Sequence, residues 1–198
     1  MLILVRHGES TANAAGLLVG RLDAPLTDRG LAQAKTLAPV LGDVSRVVSS
    51  PLARARSTAE ALGVGVPVEI DDRWIEVDYG EFDGQPLGSV PAEVWTRWRS
   101  DPEFRPPGGE SLAEAGARVR SACEELFATD GEGARGPGSV VVVSHVSPIK
   151  AATCWALGLG DQGAWRLYLA TASVTRIAWG PGGPVLRRFN ETPWSVPD

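Results

Sequence analysis

The sequence predicts an α/β fold built as a three-layer α/β/α sandwich, and three observations carry that reading. Leu2-Ile3-Leu4-Val5 and Val140-Val141-Val142-Val143 are uninterrupted apolar runs of strand length, the pattern of strands buried on both faces of a parallel sheet. Stretches with helical periodicity separate them from each other and from a third short run, Arg46-Val47-Val48-Ser49. Each run passes directly into polar or charged residues, as strands of an open sheet do at the carboxyl edge where such folds keep their chemistry.

In order along the chain, residues 8–27 read as a polar, glycine-bearing loop. Thr27 or Asp28 is placed to cap a helix with Leu31, Ala34, Leu37 and Leu41 on one face; Pro39 should kink or shorten it, and Gly42 ends it. Ser50-Pro51 predicts a capping serine followed by proline at the first helical position, opening a helix with Leu52, Ala55, Ala59 and Leu62 that stops at Gly63. A weaker strand covers 66–70, and a short helix over about 92–99 carries Trp95 and Trp98. Ser111-Leu112-Ala113-Glu114 matches a capping box, with Leu112, Ala115, Val119, Ala122 and Leu126 striping the helix behind it. The glycine-rich stretch 128–139 reads as a mobile surface loop, and the valine run is followed by a helix near 147–157. Ser173–Trp179, the turn Gly180–Gly183 and Val185–Phe189 read as a hairpin that adds an antiparallel edge strand to an otherwise mostly parallel sheet.

Residues 1–198 then form a single domain, with 71–110 as a helical insertion over the sheet edge where the polar residues collect. The net charge of −5 argues against nucleic acid, whose phosphate backbone needs clustered Lys and Arg, but leaves room for a small anion in a local cluster of arginines. Cys123 and Cys154 lie inside helical patterns without metal-type spacing and read as reduced core thiols. No run reaches the ~18 apolar residues of a membrane span, so the expectation is a cytoplasmic protein with no membrane partner. The terminal hairpin leaves an edge strand free to pair, so a homodimer stays open beside a monomer.

The chain holds two histidines, and each follows a buried run. The first strand delivers Arg6 and His7, the second Ser49, Ser50 and then Arg54, the third Ser144 and His145. Parallel strands share one carboxyl edge, so two guanidinium groups and two imidazoles can converge there beside helix amino termini. Forked donors of this kind match a carboxylate or a phosphoryl group. Taken singly, each has a structural explanation: a strand-end histidine is often a satisfied boundary residue, and Arg54 beside Arg56 and Glu60 fits a solvated helix face. Their joint placement argues for a site.

Arg6-His7-Gly8-Glu9 after an apolar strand resembles the signature of the histidine phosphatase superfamily, whose first-known members are phosphoglycerate mutases. The likeness extends to Leu26–Gly30, Ser49–Ala55, Glu76–Gly84, Pro107–Ser111 and Val143–His145, in the family's order. It implies a metal-independent, cofactor-free phosphatase acting on a small phosphorylated metabolite. His7 would be the nucleophile that forms a phosphohistidine intermediate. Arg6, Arg54 and His145 would surround the phosphoryl group, Asn13 would donate to it, and Glu76 would be the general acid and then the base. Asp78, Glu81 and Asp83 lie close to Glu76 and belong on a solvated acidic loop. Val146 departs from the glycine-rich family pattern after the second histidine and argues against a backbone N–H contact to phosphate there.

The short chain, and a stretch 16–25 without aromatic residues, favour hydrolysis over a phosphoglycerate mutase-type phosphotransfer. A non-catalytic binder of phosphate ligands is the remaining alternative, and it would be expected to lack the nucleophile or the acid. Trp95 and Trp98 either fill space between insertion and sheet or form a lid that selects the leaving group.

Overall fold

The computed structural model describes residues 1–128 and 134–193. Six strands form one sheet: β1 (Leu2–Arg6), β2 (Val44–Ser49), β3 (Val68–Ile70), β4 (Ser139–Ser144), β5 (Val174–Gly180) and β6 (Gly183–Glu191), in the order β3-β2-β4-β1-β5-β6. The first four are mutually parallel, and β5 and β6 add the antiparallel edge. β1 and β4 pair in register, Arg6 opposite Ser144, so His7 and His145 leave the sheet side by side.

Strand alternation divides the core into two layers. Leu2, Leu4, Val140 and Val142 pack with α6 (Leu112–Ala128) and α7 (Val146–Leu157) through Val119, Cys123, Phe127 and Ile149. Ile3, Val5, Val141 and Val143 pack on the other face with Leu37, Leu41, Ala55 and Ala59, from α3 (Ala38–Leu41), α4 (Ala53–Ala61) and the turn before α3. Helices thus cover both faces, as expected for α/β/α layering.

Local signals explain most element ends. Thr27 caps α2 (Asp28–Lys35), its Oγ1 accepting from Gly30 N at 3.0 Å. The helix stops before Pro39, and α3 restarts with that proline in its first turn, so the proline splits the predicted helix. Ser111 and Glu114 exchange both capping-box bonds, at 2.9 and 3.2 Å. α1 (Thr11–Ala14) carries a second capping box between Ser10 and Asn13, within the stretch 8–27 expected to be a loop. Part of the glycine-rich loop expected over 128–139 lies outside the described residues.

The start of α4 differs from the one expected at Ser50-Pro51. α4 begins at Ala53, with Leu52 as its cap residue and no side-chain cap on Leu52. Ser50 does not cap it. Asp23 does that work from a distant loop, its Oδ1 accepting from Ala53 N at 2.6 Å, while Ser50 Oγ is bonded to the His145 ring.

The loop after β1 is fixed by backbone crowding. Gly8 and Gly30 face each other so closely that a Cβ on Gly30 would lie 2.0 Å from Glu9 O, and one on Gly8 2.2 Å from Gly30 O. Thr27 locks the contact by donating its N–H to Glu9 O and its hydroxyl to Glu9 Oε1 (both 2.9 Å). Gly30→Ala should therefore destabilise the fold by about 1–3 kcal/mol or more, read as a lowered urea midpoint. Gly88→Ala, where a Cβ meets nothing within 4 Å, should leave the midpoint unchanged.

Candidate active site

His7 and His145 stand with ring centroids 5.1 Å apart, and both are buried. His7 Nδ1 lies 2.7 Å from Gly8 O. A carbonyl only accepts, so Nδ1 carries the proton, and in the neutral ring Nε2 keeps its lone pair. Burial holds His7 well below the ordinary imidazole range, with Arg6 and Arg54 adding repulsion. His145 is lowered well below that range for the same reasons, burial first and then Arg54 and His7. Its Nε2 lies 2.7 Å from Ser50 Oγ, and its Nδ1 is buried with no hydrogen-bond partner among the described residues.

Both arginines are anchored by carbonyls. Arg54 is fully buried and donates to Leu22 O and Gly20 O, both at 2.7 Å. Arg6 donates to Leu169 O at 2.6 Å. Neither forms an ion pair among the described residues, and the Nε of each is buried without a partner. Desolvation pushes Arg6 down to about 10, which leaves it cationic at neutral pH, and lowers Arg54 as well.

Glu76 faces this cluster. Arg6, His7, Asn13, Glu76, Tyr79 and Val146 line one cavity. Glu76 is buried, and its Oε1 accepts from Val77 N (2.8 Å) and Ser147 N (3.2 Å). Its acidic neighbours are committed elsewhere. Asp78 Oδ1 accepts from Gly80 N, Asp83 accepts from Gly20 N and Leu22 N, and Glu81 is exposed. Asn13 Oδ1 takes hydrogen bonds from the Ser10 N–H and hydroxyl (3.1 and 2.9 Å), which leaves its amide N–H₂ as a donor group in the cavity lining.

All six residues singled out from the sequence thus converge. The doubt over Val146 has a structural answer: it is the first residue of α7, in ordinary helical backbone that needs no glycine, and its N–H is a first-turn donor without a helix carbonyl to receive it. Trp98 is buried among Tyr79, Phe82, Trp95 and Phe104, so it packs, while both tryptophans also line a cavity beside the site. Sequence reasoning missed the supports. Asp83 holds the 20–22 loop, Arg21 Nε donates to Glu76 O (3.0 Å), and Thr58 Oγ1 accepts from Gly8 N (3.1 Å). Each joins residues distant in sequence, and no local pattern marks it.

Fold and site together define an α/β protein whose sheet edge carries a cationic, imidazole-bearing anion pocket. The family model for the histidine phosphatase superfamily (branch 1) matches residues 2–192, and the chain belongs to that superfamily. Phosphoserine phosphatase 1 of Hydrogenobacter thermophilus is 36% identical over 96% of this chain and 92% of its own length. Bifunctional protein Rv2228c of Mycobacterium tuberculosis is 34% identical over 96% of this chain, which spans about half (54%) of that protein. The structure of mycobacterial glucosyl-3-phosphoglycerate phosphatase in complex with VO3 superposes with a TM-score of 0.86 at 32% identity, covering 96% of this chain and 98% of that one. The chain is accordingly a phosphoric monoester hydrolase. Among the described residues, no helix is long and apolar enough to cross a membrane.

The two lowered histidines make stability depend on pH with a definite sign. Unfolded, each ring binds a proton below its ordinary value of 6.5; folded, each stays neutral to well below it. The unfolded state then holds more protons, so stability falls as pH drops through 6.5 towards the folded values. The slope should approach ~2.7 kcal/mol per pH unit if both rings contribute fully. Urea midpoints between about pH 7 and 5.5 check this, and His7→Gln with His145→Gln should flatten the profile.

Proposed function

We propose that His7 is the nucleophile of a two-step hydrolysis through a phosphohistidine. Its Nε2 attacks phosphorus as the ester P–O bond breaks, and protonated Glu76 gives its proton to the leaving alcohol oxygen. Glu76, now a carboxylate, takes a proton from water; the water oxygen attacks phosphorus, the P–N bond breaks, and inorganic phosphate leaves with His7 neutral again. The observation that carries this reading is the His7 Nδ1 to Gly8 O hydrogen bond, which leaves Nε2 basic inside a cavity that also holds Arg6 and Glu76.

Arg6, Arg54, His145 and Asn13 surround the phosphoryl oxygens. With Ser50 Oγ donating to His145 Nε2 (2.7 Å), the His145 proton sits on the unpartnered Nδ1 as a donor. A phosphoryl transition state spreads charge over its oxygens, so fixed donors that need no reorganisation supply most of the acceleration. The substrate is a small phosphorylated metabolite, as the names of the related phosphatases suggest. Two buried, unbridged cysteines fit a reducing compartment, and we place the protein in the cytoplasm.

Rapid acid-free quenching with a ³²P-labelled phosphomonoester should trap acid-labile, base-stable phosphate on the wild type and none on His7→Ala; label retained by His7→Ala refutes the assignment. Arg54→Lys should lower kcat by about 10- to 1,000-fold. Glu76→Gln should lose far more rate on an alkyl phosphate than on p-nitrophenyl phosphate, whose leaving group needs little acid help. An unchanged alkyl rate removes Glu76 from the mechanism.

A further inference from the structure

The phosphoryl cavity adjoins a second one, and Leu18, Tyr79 and Val146 line both. The indoles of Trp95, Trp98 and Trp165 wall this second space, and α7 supplies Val146, Ser147 and Lys150. Its volume of about 170 Å³ admits a ring the size of benzene. Lys150 lies four residues, about one helical turn, beyond Val146 on the same face, about 6 Å further along the axis from the phosphoryl site.

Two donors here lack partners among the described residues: the half-buried Lys150 ammonium and the buried Trp98 Nε1–H. Burial pulls Lys150 below its ordinary value, and Glu76 pulls it back up. The other polar groups are already engaged, Tyr79 Oη with Ser147 Oγ (3.3 Å) and Trp165 Nε1 with Trp98 O (3.0 Å). A polyhydroxylated leaving group would bury hydroxyls against indole faces with few acceptors or donors to meet them. A flat apolar body ending in an anion would use both the walls and the Lys150 ammonium.

We propose that this second cavity receives the alcohol portion of the substrate and selects phosphomonoesters whose leaving group is apolar and carries a carboxylate, with the Lys150 ammonium as that carboxylate's partner. The proposal rests on the phosphatase reading above and adds the class of leaving group.

The test compares kcat/KM for phenyl phosphate, 4-carboxyphenyl phosphate and 4-(aminomethyl)phenyl phosphate in the wild type, Lys150→Met and Lys150→Glu. Comparing each ratio between proteins cancels the intrinsic reactivity of the phenols. The carboxyl-to-phenyl ratio should be about tenfold higher in the wild type than in Lys150→Met, carried by KM. Lys150→Glu should invert the order in favour of the ammonium substrate, and Lys150→Arg should restore the carboxylate preference. Tryptophan-fluorescence titration with benzylphosphonate and 4-carboxybenzylphosphonate reads the same preference without turnover. Equal ratios in wild type and Lys150→Met, or equal phosphonate affinities in the two, overturn the proposal. A binding preference that persists while no phosphate is released supports it and counts against the hydrolytic reading alone.

Discussion

Two guanidinium ions, Arg54 buried and Arg6 half-buried, stand at the end of a parallel sheet and are held there by neutral carbonyls. Arg54 is pinned by Gly20 O and Leu22 O, and Arg6 by Leu169 O. A carboxylate partner would hold them as firmly and cancel the charge the site needs. Carbonyl dipoles fix position and leave a positive field in a medium of low polarity, where an anion gains most from it. The same field, added to burial, keeps both imidazoles unprotonated. A positive field that favours an anion and a neutral His7 ring with a bare Nε2 are thus two consequences of one charge arrangement.

Much of the remaining structure serves to hold those carbonyls. Asp83 accepts from Gly20 N and Leu22 N at 2.7 Å each, and so fixes the short turn whose carbonyls grip Arg54. The segment carrying Asp83 is itself clamped. Gly80 sits at φ +55° with its Cα against Pro107 O, Glu81 N donates to Pro107 O, and Glu110 N to Asp78 O. Glu110 then pairs with Arg118 (2.8 Å) and Arg21 (3.4 Å), and Arg21 reaches Glu76 O. The Glu76–Gly84 and Pro107–Ser111 blocks are two sides of one contact, which is why their glycines are found together.

The parts legible in sequence are those written in local chemistry. Uninterrupted valines specify β4, strand alternation its two core layers, and the charged residues directly after β1 and β4 the paired imidazoles. Convergence of Arg6, His7, Arg54 and His145 followed from parallel strands sharing an edge. Glu76 and Asn13 came instead from family resemblance, and the capping box between Ser10 and Asn13 is a local signal in its own right. Ser50 was misassigned because a serine before proline satisfies two local rules at once, while the competing imidazole lies 95 residues away. Asp23, Asp83 and Thr58 were illegible for the same reason: their partners are set by tertiary approach.

The pocket holds His7 as a neutral ring protonated on Nδ1, and ¹⁵N NMR of histidine-labelled protein reads this directly. With two histidines in the chain, a His145→Gln variant assigns the signals. At about pH 6, where an ordinary imidazole is largely charged, the His7 Nδ1 should resonate as a protonated, pyrrole-type nitrogen and Nε2 as a bare, pyridine-type one. An imidazolium at that pH, or the opposite tautomer, would contradict the account.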